Sequence, residues 1–129
     1  MAATTVTTTI AGQLSTRRDV MSISASSGNN RVAIDTTSCK LDQVIIDNSS
    51  GGAQIYLRIW DTAYASVSEG TTEPAIILTA GAGETVEDSF APAPVLDNAL
   101  TAQVTTTSGY DASGAAVSAA ATITFLTHD

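Results

Sequence analysis

The sequence predicts an all-β fold: a single antiparallel β-sandwich, jelly-roll or immunoglobulin-like, of about eight or nine strands behind an extended N-terminal arm. Three observations carry that reading. Twenty Thr, ten Ile and nine Val bias the chain toward extended structure, because β-branched side chains lose rotamer freedom in helices and pack well on pleated surfaces. Apolar residues alternate with polar ones over several short runs, the period of a half-buried strand. Turn residues punctuate those runs every eight to twelve residues or so, a spacing that suits a sandwich rather than βαβ units.

The strongest run is Ala53–Asp61, where Ile55, Leu57 and Ile59 take one face and Tyr56, Arg58 and Trp60 the other. Leu100–Val104 and Ala121–Phe125 alternate in the same way. Leu41–Ile46 and Ala75–Leu78 are short, largely apolar runs without alternation, as expected of central sandwich strands. Thr4–Ile10, Val20–Ala25, Arg31–Asp35 and Thr85–Phe90 are weaker strand candidates. The turn at residues 26–30 (Ser-Ser-Gly-Asn-Asn) is expected to make a hairpin between Val20–Ala25 and Arg31–Asp35. Residues 48–52 and 80–83 are expected to close hairpins likewise, and residues 109–114 a longer loop. Pro74 opens a strand, where its missing N–H is tolerated, and Pro92 and Pro94 bracket an irregular stretch. The Ala-rich segment 115–121 has helical propensity but is short and runs into a strand.

The chain divides into an arm, residues 1–19, and a sandwich domain, residues 20–129. The arm is almost wholly Ala and Thr up to residue 9 and ends on Arg17-Arg-Asp19. Such a polar, β-prone segment is either disordered or orders by adding a strand to a neighbour.

At 129 residues the chain is long enough for one buried core. That core is thin, since 28 residues are Val, Ile, Leu or Phe against 21 Ala. Charged residues make up 14% of the chain, against ~25% in ordinary soluble domains. A net charge of −8 with five scattered cations argues against nucleic-acid binding, which needs Lys and Arg to neutralise phosphates. No run reaches the length of a membrane span, and the N-terminus lacks a basic and then apolar leader. The expectation is therefore a protein made in a cytoplasm with no membrane partner. One cysteine excludes an intrachain disulfide framework.

Residues able to do chemistry are few. His128 is the only imidazole and is expected to lie in a C-terminal tail, poorly held for general-base work. Cys39 precedes Lys40, but adjacent strand residues face opposite ways, so a buried structural thiol is expected. Glu84, Glu87 and Asp88 beside a Gly-rich turn, and Asp47 with Asn48, are the densest oxygen donors. They match no calcium-loop motif and read first as solubilising charge. No catalytic, cofactor or metal residues are assigned, and the expectation is a protein that is not an enzyme. Tyr56, Arg58 and Trp60 are of the types enriched at interface hot spots. They serve equally as residues lying under a loop, and less well as a sugar-stacking face.

One resemblance adds to this. The strand Gln54–Ala63, then Glu69–Pro74 (EGTTEP), Ile76–Leu78, Gly83–Val86 (GETV) and Phe90 follow one another in a familiar order. The run resembles small bacteriophage virion proteins, in which a strand like YLKLYD precedes GTTxP, an apolar strand, a GGTV turn and a Phe-bearing strand. Ala99–Thr106 and Thr122–Leu126 stand where that family has its closing strands, so the likeness covers roughly residues 40–127. It departs at Asn98-Ala99, where the family has Gly before Leu, and in its Thr-rich arm. The resemblance implies a non-enzymatic structural component of the virion, of the capsid decoration or cement type. The expectation built on it is a protein on the head exterior with the major capsid protein as partner, and a closed homo-oligomer, a trimer for preference, that would also protect strand edges. A tail, baseplate or fibre-associated protein and a carbohydrate-binding module are the alternatives. Under this reading Thr4, Val6, Thr8 and Ile10 of the arm, with Tyr56, Arg58 and Trp60, are the interface candidates.

Overall fold

The computed structural model describes residues 4–9, 17–23, 30–108 and 120–129. Ten strands appear among them: β1 (Thr4–Thr9), β2 (Arg17–Ile23), β3 (Val32–Asp35), β4 (Cys39–Asp47), β5 (Ile55–Trp60), β6 (Ile76–Ala80), β7 (Thr85–Ser89), β8 (Val95–Leu96), β9 (Leu100–Thr105) and β10 (Ala121–His128). A single turn of 3-10 helix, Tyr64–Ser66, lies between β5 and β6. Among the described residues no helix is long and apolar enough to cross a membrane.

All pairings are antiparallel. One sheet runs β1-β2-β10-β4-β7, with the short β8 sharing the β7 edge of β4, and the other runs β3-β9-β5-β6. The pairs β2·β10, β3·β9, β4·β7 and β5·β6 nest first with last. The chain is thus one long hairpin, its tip at the β5–β6 connection, rolled so that successive arms alternate between sheets. Of the two sandwich topologies expected, this is the jelly roll.

The three turns expected to close hairpins do not. β2 and β3 lie in different sheets, as do β4 and β5, and β6 and β7. Residues 48–54 and 81–84 therefore carry the chain across the sandwich edge, and residues 24–29 fall outside the described set, as do the loop at 109–114 and segment 115–119. Two-residue alternation makes each strand legible. It says nothing of which sheet accepts the next one.

The core lies between the sheets. Met21, Ile46, Ile123 and Phe125 from the larger sheet meet Leu57, Ile59, Leu100 and Val104 from the smaller, all at most 1% exposed. Each such side chain contributes about 1.5–3 kcal/mol over its exposed state. β4 shows why its apolar residues depart from strict alternation. Leu41, Val44 and Ile46 all point inward, a spacing of three and then two. The register shift opposite Leu126/Thr127 leaves Asp42 as the extra residue of a bulge, which restores the inward set.

Asn48 fastens the two crossings that lie side by side. Its buried amide donates to the carbonyls of Ala53 and Gly81 at 2.9 Å each, while its N–H donates to Glu84 O at 2.8 Å. The arm boundary expected at residue 19 falls inside β2, and Thr4–Thr9 lies along β2 from Thr4↔Ser22 to Thr9↔Arg17.

Candidate functional site

The outer face of the smaller sheet gathers the aromatic and cationic candidates. β5 and β9 put Tyr56 opposite Thr105, Arg58 opposite Gln103 and Trp60 opposite Thr101. Arg58 and Trp60 are fully buried and Tyr56 is half-buried. The 61–75 connection folds back over them. Trp60 Nε1 donates to Thr72 O at 2.9 Å, and Thr101 Oγ1 donates to Thr62 O at 2.6 Å. The turn at Ser68–Thr72, with Gly70 at φ +83°, sets Thr72 in place. Of the three roles weighed for this triad, lying under a loop is the one the geometry gives to Arg58 and Trp60. Neither reaches the surface as an interface anchor or a sugar platform.

A polar relay runs through this covered layer. Arg58 Nη1 donates to Gln103 Oε1 at 3.1 Å, and Gln103 Nε2 donates to Glu69 Oε1 at 2.6 Å. Arg31 Nη1 lies 3.4 Å from the same Glu69 oxygen, and its guanidinium sits 4.5 Å from the ring centroid of Tyr64. Hydrogen-bonded burial is what makes a charge tolerable here. Asp61, at the end of β5, accepts from the N–H groups of Asp97 and Asn98 at 3.0 and 2.8 Å, clipping the connection to the approach of β9.

A second cluster joins arm and sandwich. Arg17 lies 2.8 Å from Asp19 and 2.9 Å from Asp35, and donates to Ile34 O at 2.7 Å, so one guanidinium ties the two sheets together. Burial works against the Arg17 charge, but the Asp19 and Asp35 carboxylates outweigh it and push its pKa up. Thr7 Oγ1 of β1 donates to the same buried Asp19. Sequence reasoning missed Asp19 and Arg17 because an Arg-Arg-Asp run reads as solvated tail. The alternation Asp19, Met21, Ile23 was the signal that Asp19 faces inward.

The arm candidates are partly placed. Thr5 to Thr8 are exposed, and Val6 is 62% exposed. Thr4 lies in β1, and Ile10 is outside the described residues.

The chemical candidates resolve as follows. Cys39 is buried, and burial together with the Asp35 carboxylate pushes its thiol up to about 12. His128 is not in a loose tail: it ends β10, with Nδ1 2.8 Å from Asp42 Oδ2, the bulged residue of β4. Asp47 accepts from the Ser49 hydroxyl at 2.6 Å and the Ser49 N–H at 3.0 Å, which hold its carboxyl below the ordinary range. Among the described residues no three His, Cys, Asp or Glu side chains gather around a metal position.

Fold and surface define a jelly-roll sandwich with an appended edge strand. No protein-family model matches the chain, and no curated protein is significantly similar to it.

Proposed function

We propose that the protein is a non-enzymatic virion component of a bacteriophage, a decoration or cement protein. It binds the head exterior in many copies and stabilises contacts between major capsid subunits. The observation that carries this reading is β1, a strand of five Thr and one Val added to the sandwich edge with Thr5 to Thr8 all exposed. A strand in that position serves contact with something outside the chain better than it serves the core. The sequence resemblance over residues 40–127 points the same way, and repeated modest contacts on a shell add without tight pairwise affinity.

The test is imaging of the particle together with binding to isolated capsids. Density on the head exterior in many symmetric copies is expected. Density confined to the tail would support the tail or fibre alternative, and absence from the particle would sink both. Removal of residues 1–9 takes away β1 while leaving Arg17 in place, and is expected to weaken capsid binding. Unchanged binding would remove the arm from the interface.

A further inference from the structure

Among the described residues the sandwich has four lateral edges. β1 and β3 lie at one end, close to one another, and β6 and β7 lie at the other. An edge strand presents a row of unpaired N–H and C=O groups, and proteins blunt such rows with charge, Pro or brevity. Two edges here follow that rule. β3 is four residues long and ends on Asp35, and β7 carries Glu87 and Asp88, with Pro94 directly before β8 on the same edge of β4. The other two do not. β1 reads TTVTTT and β6 reads IILTA, with neither a charge nor a Pro in either. For a chain of net charge −8, two bare β-prone edges are a marked omission.

A second observation falls on the same strands. The exposed large apolar side chains among the described residues are Val6, Tyr64, Ile77 and Val95. Val6 sits within β1 at 62% exposure and Ile77 within β6 at 40%. Among the described residues no strand pairs with the outward side of either.

We propose that the chain self-assembles head to tail: β1 of one copy, still paired with its own β2, adds through its free side to β6 of the next copy. The six-stranded sheet of one copy then continues into the four-stranded sheet of its neighbour. β1 and β6 have six and five residues, so their ladders match in length. Val6 and Ile77 are both covered in the joint. Because the edges lie at opposite ends, the contact is heterologous and closes into a ring when the rotation allows. Pairing β6 with β6 would leave the equally bare β1 edge in water, whereas head-to-tail pairing uses both. The assembly needs only purified chain, so it stands or falls separately from the virion reading.

Sedimentation of the wild type, Val6→Lys, Ile77→Lys and an equimolar mixture of the two variants tests this. Both positions are exposed, so circular dichroism melts are expected to match wild type. The glutamate variants Val6→Glu and Ile77→Glu, run alongside, serve if a lysine variant does not fold. The wild type is expected to associate, and each variant alone to self-associate roughly tenfold more weakly or worse. The mixture is expected to give a discrete one-to-one dimer, through β1 of the Ile77→Lys chain and β6 of the Val6→Lys chain. A wild type that stays monomeric at millimolar concentration overturns the proposal. Undiminished association of Val6→Lys alone, or a mixture no more associated than its parts, overturns it as well.

Discussion

The side chain of Asn30 exchanges two 2.8 Å hydrogen bonds with the backbone of Val104, its Nδ2 donating to the carbonyl and its Oδ1 accepting from the N–H. Val32 pairs with Ala102 in the β3·β9 ladder, so the amide stands where the next backbone partner of β9 belongs. An Asn side chain carries the same donor and acceptor as a peptide group, and here it replaces one. Asn30 is fully buried, and so is Val104.

Asn30→Ala is therefore expected to strand a buried N–H and a buried C=O, at a cost of about 2–3 kcal/mol in chemical denaturation. Asn30→Asp keeps the acceptor, loses the donor and buries a charge, and is expected to cost more than the alanine. Equal stability of Asn30→Ala and wild type would show the pairing to be dispensable.

Gly51 and Gly81 offer a matched comparison across the two crossings. A Cβ on Gly51 would overlap Asn48 Oδ1 and crowd its Cγ, and a Cβ on Gly81 would overlap Glu84 Oε1. The Glu84 carboxylate is the far end of an exposed, flexible side chain and can swing away. The Asn48 amide cannot, because it is bonded to Ala53 O and Gly81 O. Gly51→Ala is expected to lose about 1–3 kcal/mol, and Gly81→Ala less than half of that loss. Thermal melts of the pair decide it, and the reverse order would mean that Asn48 does not fasten the turns.

The strands were readable where alternation holds. Ile55, Leu57 and Ile59 face inward as their spacing requires. β10 shows the same period in Ala121, Ile123 and Phe125. The topology was not readable, since Gly and Asn at residues 48–52 supply turn geometry equally to a hairpin and to an inter-sheet crossing. The outer face of β5 failed for a related reason. Period two assigns Arg58 and Trp60 to the side away from the core but cannot show that the polar 61–75 connection covers that side. The bulge at Asp42, which brings it to His128, depends on the β10 register and leaves no local mark.

Trp60 is the only tryptophan, so its emission reports on that cover directly. Fully buried with its N–H on Thr72 O, it is expected to emit at blue-shifted wavelength and to resist iodide quenching. Trp60→Phe keeps most of the ring but leaves the Thr72 carbonyl without this donor, at a cost of about 1 kcal/mol or somewhat more. Ready quenching in the native protein would contradict the covered face.

Cys39 imposes a pH dependence with a definite sign. Its folded thiol is raised to about 12, whereas an unfolded chain releases that proton near ~8.5. Below the unfolded value both states hold the proton and the contribution to stability is complete. As pH rises toward the folded value, unfolding releases a proton and stability falls. Denaturation midpoints are expected to drop steadily above pH ~9, less steeply in Cys39→Ala. Native alkylation at neutral pH is expected only through unfolding. A variant with the wild-type alkaline slope would exclude Cys39 as its source.

Arg17 faces two buried carboxylates, Asp19 at 1% and Asp35 at 4% exposure, and joins the sheets through them. Removing the cation alone leaves two acids in a poorly solvated edge, and a buried pair broken on one side costs about 3–5 kcal/mol. Arg17 is 31% exposed, so Arg17→Met is expected near the lower end of that range. Arg17→Met/Asp19→Asn/Asp35→Asn removes the stranded charges together with the cation and is expected to recover more than half of the loss. If the triple variant is no more stable than Arg17→Met, the cost lies in lost packing of the Arg17 stem rather than in uncompensated charge. The Thr7 hydroxyl also donates to Asp19, so Arg17→Met is further expected to speed amide exchange along β1 relative to β9. A β1-to-β9 exchange ratio unchanged from wild type would uncouple the arm from this cluster.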